Sequence, residues 1–398
     1  MTGIDLAAGQ DQLPLLIRVS GKDRPGLTSD LLGLLARAGA QLEDMEQLVV
    51  RERLTLDMLA RLDGASDALL RDILYWGFRN DVKVDFERVE ATSQRASRRR
   101  HAVTVLGQPL TPIALSAVAD AISASGGNID RIVRLATQPV TAYDLVVIVD
   151  DADAMRTALV SVAREHEIDI AVQVNGLERR AKRLVVMDVD STLIADEVIE
   201  LLADEAGCRA EVEAVTTAAM AGELDFESSL RERVRRLAGL EVAALDRAAS
   251  RIRLTPGART FVSTLQRMGF SVAVVSGGFT AFTDRLKAEL GLDHAYANTL
   301  EIIDGHLTGE VIGPVVDRAR KAELLTQIAA AEGILPSQAV AIGDGANDLD
   351  MLAASGLGIA FNAKPAVRAR ADTTVSVPRL DVILFMLGVR GAEVDHVD

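Results

Sequence analysis

The chain has 398 residues, 49% of them hydrophobic and 25% charged, and this length and composition favour two or three globular domains with sizeable cores. A formal net charge of −15 argues against nucleic acid as a partner. No apolar run approaches the roughly 18 residues that a membrane span requires, so no membrane association is expected. The single cysteine, Cys208, excludes an intramolecular disulfide and any multi-cysteine metal site, and it favours a cytoplasmic location.

Residues 13–91 follow the order strand, helix, strand, strand, helix, strand, which is the ferredoxin-like unit. Residues 1–12, which carry no secretion signal, are expected to form a loose tail. The run Asp23-Arg24-Pro25-Gly26-Leu27 joins the first predicted strand to the first predicted helix. A glycine at that point lets backbone amides approach a small carboxylate closely. A plain turn that caps the helix is the alternative.

The same order of elements repeats in residues 101–175, after a polar, basic linker at about 91–100. A repeat of this kind indicates duplicated units. Both units resemble ACT domains, small modules that bind amino acids, often at a pairing interface, and the Asp23–Leu27 run is similar to the first-loop motif of that family. The resemblance implies a regulatory amino-acid site at Asp23 and Gly26. The second copy has Pro109 and Pro112 with no glycine after the proline, which leaves open whether it binds a ligand or serves only for pairing.

A third domain is predicted over residues 183–388, followed by a tail at 389–398. It begins with the apolar run 184–187, which leads into Asp188-Val189-Asp190. Such a run predicts a strand buried on both faces of a parallel sheet, and the carboxyl ends of these strands carry chemistry. Two carboxylates there suit magnesium, which often shares the oxygens of a substrate phosphate. A turn held by side-chain hydrogen bonds is the plainer interpretation of the two aspartates.

Three further groups of polar residues follow along the third domain. Residues 195–250 are helical in composition and are expected to form a cap over the strand ends. A second core strand at 271–275 ends in Ser276-Gly277-Gly278, a combination of hydroxyl and amides that can hold phosphate. Lys321 lies early in a predicted helix at 318–331, and a third strand at 339–342 leads into Gly343-Asp344-Gly345-Ala346-Asn347-Asp348.

The order of these four motifs is similar to that of the haloacid dehalogenase-like superfamily of phosphotransferases. Longer stretches resemble the phosphoserine phosphatases within that superfamily, namely residues 188–193, Glu197, residues 225–234, residues 274–279 and residues 343–348. The predicted fold class is therefore α/β. It consists of a Rossmann-like parallel sheet with a helical cap at about 195–250, preceded by two ferredoxin-like α+β ACT domains.

The resemblance implies a role for each catalytic group. Asp188 would attack phosphorus and form an aspartyl-phosphate, while Asp190 would act as general acid and then as general base. Magnesium would be held by Asp188, Asp344 and the backbone carbonyl of Asp190, with Asp348 supporting the site through water. The phosphoryl oxygens would be held by Lys321, Ser276 and the Gly277 amide.

The resemblance also implies the substrate O-phospho-L-serine and the residues that recognise it. Glu197 would bind the ammonium group, and Arg233 would bind the carboxylate through two parallel hydrogen bonds. Met220 and Phe226 would supply apolar contacts, and Asn347 would contact substrate or phosphate.

The paired ACT units could also serve only for dimerisation and sense nothing, and two alternatives to the predicted activity remain open from the sequence. One is a phosphatase of another small phosphate ester, although a sugar phosphate offers neither an ammonium group for Glu197 nor a carboxylate for Arg233. The other is an amino-acid-sensing regulator with an inactive phosphatase half, which predicts the loss of Asp188, Lys321 or Asp344. We further expect L-serine to bind near Gly26 as an effector, and we expect a homodimer because paired ACT units bury exposed sheet edges.

Overall fold

The computed structural model describes residues 13–62, 67–89, 99–220, 224–371, 373–394 and 397. The predicted tail at 1–12 and most of the predicted linker at 91–100 lie outside these residues. The chain divides into two compact units, Met1–Ser97 and Arg98–Asp398, which are described separately. Within the described ranges, no helix is both long enough and apolar enough to cross a membrane.

The first unit is a four-stranded antiparallel sheet covered by two helices. Its elements are β1 (Leu15–Lys22), α1 (Leu27–Arg37), β2 (Gln41–Val50), β3 (Arg53–Arg61), α2 (Asp67–Asn80) and β4 (Val82–Arg88). The strand order is β2-β3-β1-β4. Alternate residues of the two central strands, among them Ile17 and Leu56, are fully buried in one core with Leu31 of α1 and Ile73 of α2. This arrangement confirms the predicted ferredoxin-like unit.

The second ferredoxin-like unit has the same topology. Its elements are β5 (Arg100–Gly107), α3 (Pro112–Ala124), β6 (Asn128–Ala136), β7 (Thr141–Ile148), α4 (Ala152–Glu165) and β8 (Asp169–Val174). The strand order β6-β7-β5-β8 matches that of the first sheet. Side-chain caps fix both helix starts, because Thr111 accepts a hydrogen bond from the Ala114 amide and Asp151 accepts one from the Ala154 amide.

The remainder of the larger unit is an α/β domain around a seven-stranded sheet. Its strands are β9 (Leu184–Met187), β10 (Ser271–Phe279), β11 (His294–Ile303), β12 (His306–Ile312), β13 (Ala339–Gly343), β14 (Leu357–Phe361) and β15 (Thr373–Val375). Its helices are α5 (Leu177–Arg180), α6 (Val198–Ala206), α7 (Arg209–Met220), α8 (Phe226–Arg235), α9 (Ala243–Ser250), α10 (Ala258–Arg267), α11 (Thr280–Leu290), α12 (Arg318–Ala331), α13 (Leu349–Ala354), α14 (Pro365–Arg368) and α15 (Ile383–Met386). Helices α6 to α9 form the predicted cap.

The strand order of this sheet places the predicted motifs side by side. The order is β12-β11-β10-β9-β13-β14-β15, and all neighbouring pairs are parallel except β11 with β12. The β9 strand therefore lies between β10 and β13, and every residue of β9 and β13 is buried. The carboxyl ends of these three parallel strands meet at one edge, which is where α/β sheets bind ligands.

The second ferredoxin-like unit and the α/β domain share one hydrophobic core. Leu106 and Ala142 of the former lie in the same buried cluster as Phe385 of the latter. Val389 and Val394, which belong to the segment predicted as a C-terminal tail, are also buried in this cluster.

Candidate active site

The chain turns sharply after β9 and so presents two aspartates at the strand end. The Asp188 amide donates to the Ile342 carbonyl of β13 at 2.9 Å, which ties the start of the turn to the neighbouring strand. The Asp188 carboxylate accepts a hydrogen bond from the Val189 amide at 2.7 Å. Ser191 has a φ of 55°, in the left-handed region that non-glycine residues seldom adopt. This strained turn carries the chain back toward the cap.

Three carboxylates converge at this edge of the sheet. Oxygens of Asp188, Asp344 and Asp348 all lie within 4.8 Å of one another. Burial, with repulsion from Asp348, raises the pKa of Asp188 well above its ordinary value, and the same two causes raise the pKa of Asp344 to about 6. A divalent cation among them would relieve this repulsion, and hard carboxylate oxygens are the ligands that magnesium prefers. The donor set therefore fits a divalent metal ion.

Lys321 is the fixed positive charge of the cluster. Its Nζ lies 2.8 Å from Asp188 Oδ2 and 2.7 Å from Asp348 Oδ1, and its side chain is fully buried on the inner face of α12. Burial lowers the pKa of this ammonium group, but attraction to Asp188 and Asp348 outweighs burial and holds the pKa above its ordinary value. Lys321 therefore stays charged.

Asp190 and Ser276 form a pair that the sequence did not reveal. Asp190 Oδ2 accepts a hydrogen bond from Ser276 Oγ at 3.0 Å, and Oδ1 accepts one from the Val198 amide at 2.8 Å. Ser276 Oγ in turn accepts from the Gly278 amide at 2.7 Å. Burial raises the pKa of Asp190, and these hydrogen bonds oppose the rise. In this arrangement the Ser276 hydroxyl, predicted to hold phosphate, donates its hydrogen to Asp190.

The hydroxyl groups of Ser191 and Thr192, directly after the two aspartates, orient two other acidic residues. The sequence analysis did not predict these contacts. Ser191 Oγ donates to Glu197 Oε1 at 2.7 Å, and Thr192 Oγ1 donates to Asp344 Oδ1 at 3.2 Å. The position of the two hydroxyl residues directly after Asp190 could have indicated these contacts, since hydroxyl groups beside a cluster of carboxylates often donate hydrogen bonds to them. The strained turn thus sets the direction of two carboxylates besides its own.

The two predicted charged substrate contacts face the same space. Burial, followed by repulsion from Asp190, raises the pKa of Glu197 to about 7. Arg233 Nε donates to the Ser229 carbonyl at 3.3 Å, and its guanidinium has no other hydrogen bond to a described residue. Burial lowers the pKa of Arg233, while Glu197 and Asp190 oppose this. Both terminal nitrogens of Arg233 are therefore left for a ligand.

These groups surround a cavity of about 150 Å³. It is lined by Asp188, Asp190, Glu197, Val198, Ile199, Phe226, Leu230, Arg233, Gly277, Gly278, Phe279, Asp344 and Asn347. Helix α8 presents Phe226, Leu230 and Arg233 to it because they share one helical face. Such a cavity is smaller than the roughly 300–1,000 Å³ of drug-sized sites and suits a small substrate.

Three predicted site residues, Lys321, Asp348 and Met220, are not among the described residues that line the cavity. Lys321 and Asp348 are completely buried behind Asp188, while the Met220 side chain lies outside the described part of the chain. The glycines of β10 keep the cavity open, since a Cβ at Gly277 would lie 3.0 Å from Phe226 Cζ and one at Gly278 would lie 2.9 Å from Asp190 Oδ2.

The predicted regulatory loop belongs to the first unit. Gly26 has a φ of 99° at the start of α1, and a Cβ there would meet no atom within 4 Å. The Asp23 amide donates to the Glu52 carbonyl at 2.8 Å. The loop therefore has the left-handed glycine and the open space beside it that a small ligand needs. The role of Asp23 and Gly26 stays a prediction.

Glu197→Gln is expected to stabilise the folded chain at pH 8. Because the pKa of Glu197 rises on folding from its ordinary value of 4.5 to about 7, the folded state binds an extra proton between these values, and stability falls as the pH rises through them. Glutamine stays neutral, so the gain should be roughly 3 kcal/mol at pH 8 and absent at pH 4. Urea unfolding at both pH values measures it. Equal stability of Glu197→Gln and the natural chain at pH 8 would contradict the expectation, and exposed Glu227→Gln is the control.

Family models match the three domains in order. An ACT domain model matches residues 14–87, a second ACT domain model matches residues 99–173, and a haloacid dehalogenase-like hydrolase model matches residues 185–353.

Similar proteins cover almost the whole chain. A phosphoserine phosphatase of Streptomyces coelicolor is 53% identical over 388 residues, which are 96% of this chain and 94% of that protein. A phosphoserine phosphatase of Mycobacterium tuberculosis is 47% identical over 392 residues, 97% of this chain and 96% of that protein. Among solved structures, a probable phosphoserine phosphatase from Vibrio cholerae matches with a TM-score of 0.57 and 36% identity, covering 73% of this chain and 88% of that chain.

Proposed function

Because the chain belongs to the phosphoserine phosphatase family, we propose that it hydrolyses O-phospho-L-serine to L-serine and phosphate through an aspartyl-phosphate. The membership confirms the resemblance predicted from the motifs. One observation carries the substrate assignment most directly. The small cavity is lined by Asp188, Glu197 and Arg233, which supports the proposed roles of Asp188 as nucleophile, Glu197 as partner of an ammonium group and Arg233 as partner of a carboxylate.

Asp188 is suited to attack phosphorus because its two carboxylate oxygens have different partners, Oδ1 contacting the Val189 amide and Oδ2 contacting Lys321. Oδ1 accepts from the Val189 amide, while Oδ2 lies 2.8 Å from the Lys321 ammonium group, whose positive charge opposes the rise in the pKa of Asp188 that burial causes. Attack forms a bond between this carboxylate and phosphorus and breaks the bond between phosphorus and the serine oxygen. Lys321, fixed by Asp348, offers positive charge to the phosphoryl group during the transfer.

Asp190 is the proposed general acid and general base of the reaction. Its raised pKa allows it to hold a proton, which it gives to the departing serine oxygen. The resulting carboxylate then takes a proton from a water molecule that attacks the aspartyl-phosphate, releasing phosphate and restoring Asp188. Ser276 and the Val198 amide fix the orientation of the Asp190 carboxylate in both steps.

The proposed metal ion is magnesium, held by Asp188, Asp344 and the backbone carbonyl of Asp190. When bound, it would neutralise the carboxylate cluster and stabilise charge on the phosphoryl oxygens. Asp348 already accepts hydrogen bonds from Lys321 at 2.7 Å and from the Gly345 amide at 3.0 Å. These bonds favour a supporting role for Asp348, in line with the sequence prediction.

Arg233→Met is expected to lower kcat/KM for O-phospho-L-serine by about 10²-fold, because the substrate carboxylate loses a charged, paired hydrogen-bonding partner. The generic ester p-nitrophenyl phosphate has no carboxylate, so its turnover should change little. Phosphate release with magnesium measures both reactions. Arg235→Met, on the exposed part of the same helix, serves as the matched control.

Two outcomes would redirect the assignment. If the natural chain hydrolysed p-nitrophenyl phosphate but not O-phospho-L-serine, the chemistry would stand and the substrate would be another small ester. Hydrolysis of neither compound would favour the regulator with an inactive phosphatase half.

A regulatory role for L-serine and a homodimer complete the proposal. The loop at Asp23 and Gly26 supports the effector site through its open left-handed glycine. Edge strand β2 supports the dimer, because it is exposed along its whole length and carries exposed Leu48 and Val50. A cytoplasmic location stays a prediction from the amino-acid composition.

Gly26→Val in the full chain is expected to abolish the response to L-serine without changing the activity measured in its absence. A branched side chain at this positive φ strains the loop and fills the space beside it. In the natural chain, L-serine should change kcat/KM by roughly fivefold or more, a typical coupling between two sites. Gly39→Val is the matched control, since Gly39 also has positive φ and open space in the same domain. No response in the natural chain, or an equal loss in both variants, would remove the site at Gly26.

A further inference from the structure

A second and larger cavity, of about 820 Å³, lies within the larger unit between the second ACT domain and the α/β domain. One wall comes from α4 and β8, and the other comes from α14, β15 and the residues between them. No residue of the proposed active site lines it. Its volume falls within the range of roughly 300–1,000 Å³ typical of small-molecule sites.

The two walls are joined to each other by direct contacts. The buried Asp169 carboxylate of β8 accepts a hydrogen bond from the Ser376 amide at 2.8 Å. Thr373 Oγ1 of β15 donates to the Ile170 carbonyl of β8 at 3.3 Å. The two domains also share one apolar core. Hydrogen bonds and a shared apolar core therefore hold the two walls of the cavity together.

The cavity combines an apolar surface with unpaired positive charge. Leu159, Ile170 and Val172 are buried side chains of its apolar surface. Its charged lining consists of three arginines, Arg156, Arg164 and Arg368, and a single described carboxylate, that of Glu167. This concentration of positive charge is notable in a chain with a net charge of −15.

The three arginine side chains differ in the number of hydrogen bonds and ion pairs that they make within the protein. Arg156 pairs with Asp153 at 3.1 Å, yet its Nε is buried without a hydrogen-bond partner. The exposed side chains of Arg164 and Arg368 have no hydrogen bond or ion pair with a described residue, although Asp169 attracts Arg368 electrostatically. Asp153, Glu167 and Asp169 offset the charges of the three arginines in this region. Recognition of an anionic head therefore depends on direct contact with the Arg164 and Arg368 side chains, and a single carboxylate can contact both.

We propose that this cavity binds an amphipathic monocarboxylate, meaning a carboxylate head on an apolar chain. The guanidinium groups of Arg164 and Arg368 bind the head, since the planar fork of arginine matches the geometry of a carboxylate. The apolar chain lies against Leu159, Ile170 and Val172, where its burial from water favours binding. The site differs from the serine site proposed at Gly26 both in location and in its preference for an apolar ligand.

The test is calorimetric titration of the full chain with octanoate. Acetate carries the same head without the chain, and octylammonium carries the same chain with the opposite charge. We expect saturable binding of octanoate at one site per chain, with the two other compounds binding at least tenfold more weakly. The double variant Arg164→Glu/Arg368→Glu should weaken octanoate binding at least roughly tenfold, as the loss of charged hydrogen bonds implies.

The matched control is a double variant with the same change in charge at two arginines that do not line the cavity. Arg37→Glu/Arg51→Glu alters two exposed arginines of the first unit and should bind octanoate as the natural chain does. Unchanged hydrolysis of O-phospho-L-serine by the cavity variant, or an unchanged unfolding midpoint if that activity is absent, shows that it is folded. Undetectable octanoate binding, equal binding of octylammonium, or equal weakening in both double variants would overturn the proposal. Because binding is measured directly, the result is independent of the proposed catalytic function.

Discussion

Asp188→Asn is expected to reduce kcat for O-phospho-L-serine by at least about 10⁴-fold, which corresponds to roughly 5.4 kcal/mol of transition-state stabilisation. The amide that replaces the carboxylate is a poor nucleophile, so the covalent route is lost rather than slowed. The fold should survive, because Lys321 keeps its ion pair with Asp348 and one of three mutually repelling carboxylates is removed. Phosphate release and urea unfolding, compared with the natural chain, measure both effects.

Covalent labelling makes this prediction specific to the nucleophile. With phosphate-labelled substrate and an acid quench, the natural chain should retain label on protein, while Asp188→Asn should retain none. The control is Asp246→Asn, which removes an exposed carboxylate of the cap. Residual activity above one per cent, or label on the Asp188→Asn protein, would show that another group attacks phosphorus.

Lys321→Met is expected to abolish activity and to lower the free energy of unfolding by about 3–5 kcal/mol at neutral pH without added metal. Methionine occupies similar space but leaves the buried carboxylates of Asp188 and Asp348 without their cation, and an uncompensated buried charge carries a cost of this size. Urea unfolding in the presence of a chelator measures the change. Lys22→Met, which removes an exposed lysine, should have little effect on stability.

Two further measurements, the pH dependence of stability and the effect of a second substitution, show whether Lys321→Met destabilises the chain through loss of charge or through poor packing. Burial already raises the pKa of Asp188, and loss of the lysine removes the charge that opposes this rise. The variant should therefore regain stability as the pH falls and Asp188 becomes protonated. Lys321→Met/Asp348→Asn should likewise recover part of the lost stability, though no activity. If the destabilisation were the same at pH 5 and pH 8 and the second substitution recovered none of it, packing and not charge would be its cause.

The fold class and the grouping of the catalytic motifs could be predicted from the amino-acid sequence alone. The apolar runs 184–187 and 339–342 are buried strands, as predicted, because a short continuous apolar run that ends in turn-forming residues suits a strand covered on both faces of a parallel sheet. Once both strands are parallel neighbours, the aspartates after them must meet at one edge of the sheet. Lys321 was identified from the order of motifs alone, since its position near a helix start resembles that of an exposed surface charge.

The hydrogen-bonded pairs inside the site, in contrast, depend on how distant parts of the chain pack together. Ser276 and Asp190 are 86 residues apart, and their hydrogen bond depends on the relative register of β9 and β10. The raised pKa of Glu197 likewise arises from burial beneath the cap and from its distance to Asp190, neither of which a local pattern encodes. The cavity between the second ACT domain and the α/β domain is a further case, because its two walls belong to different domains and meet only when both have folded.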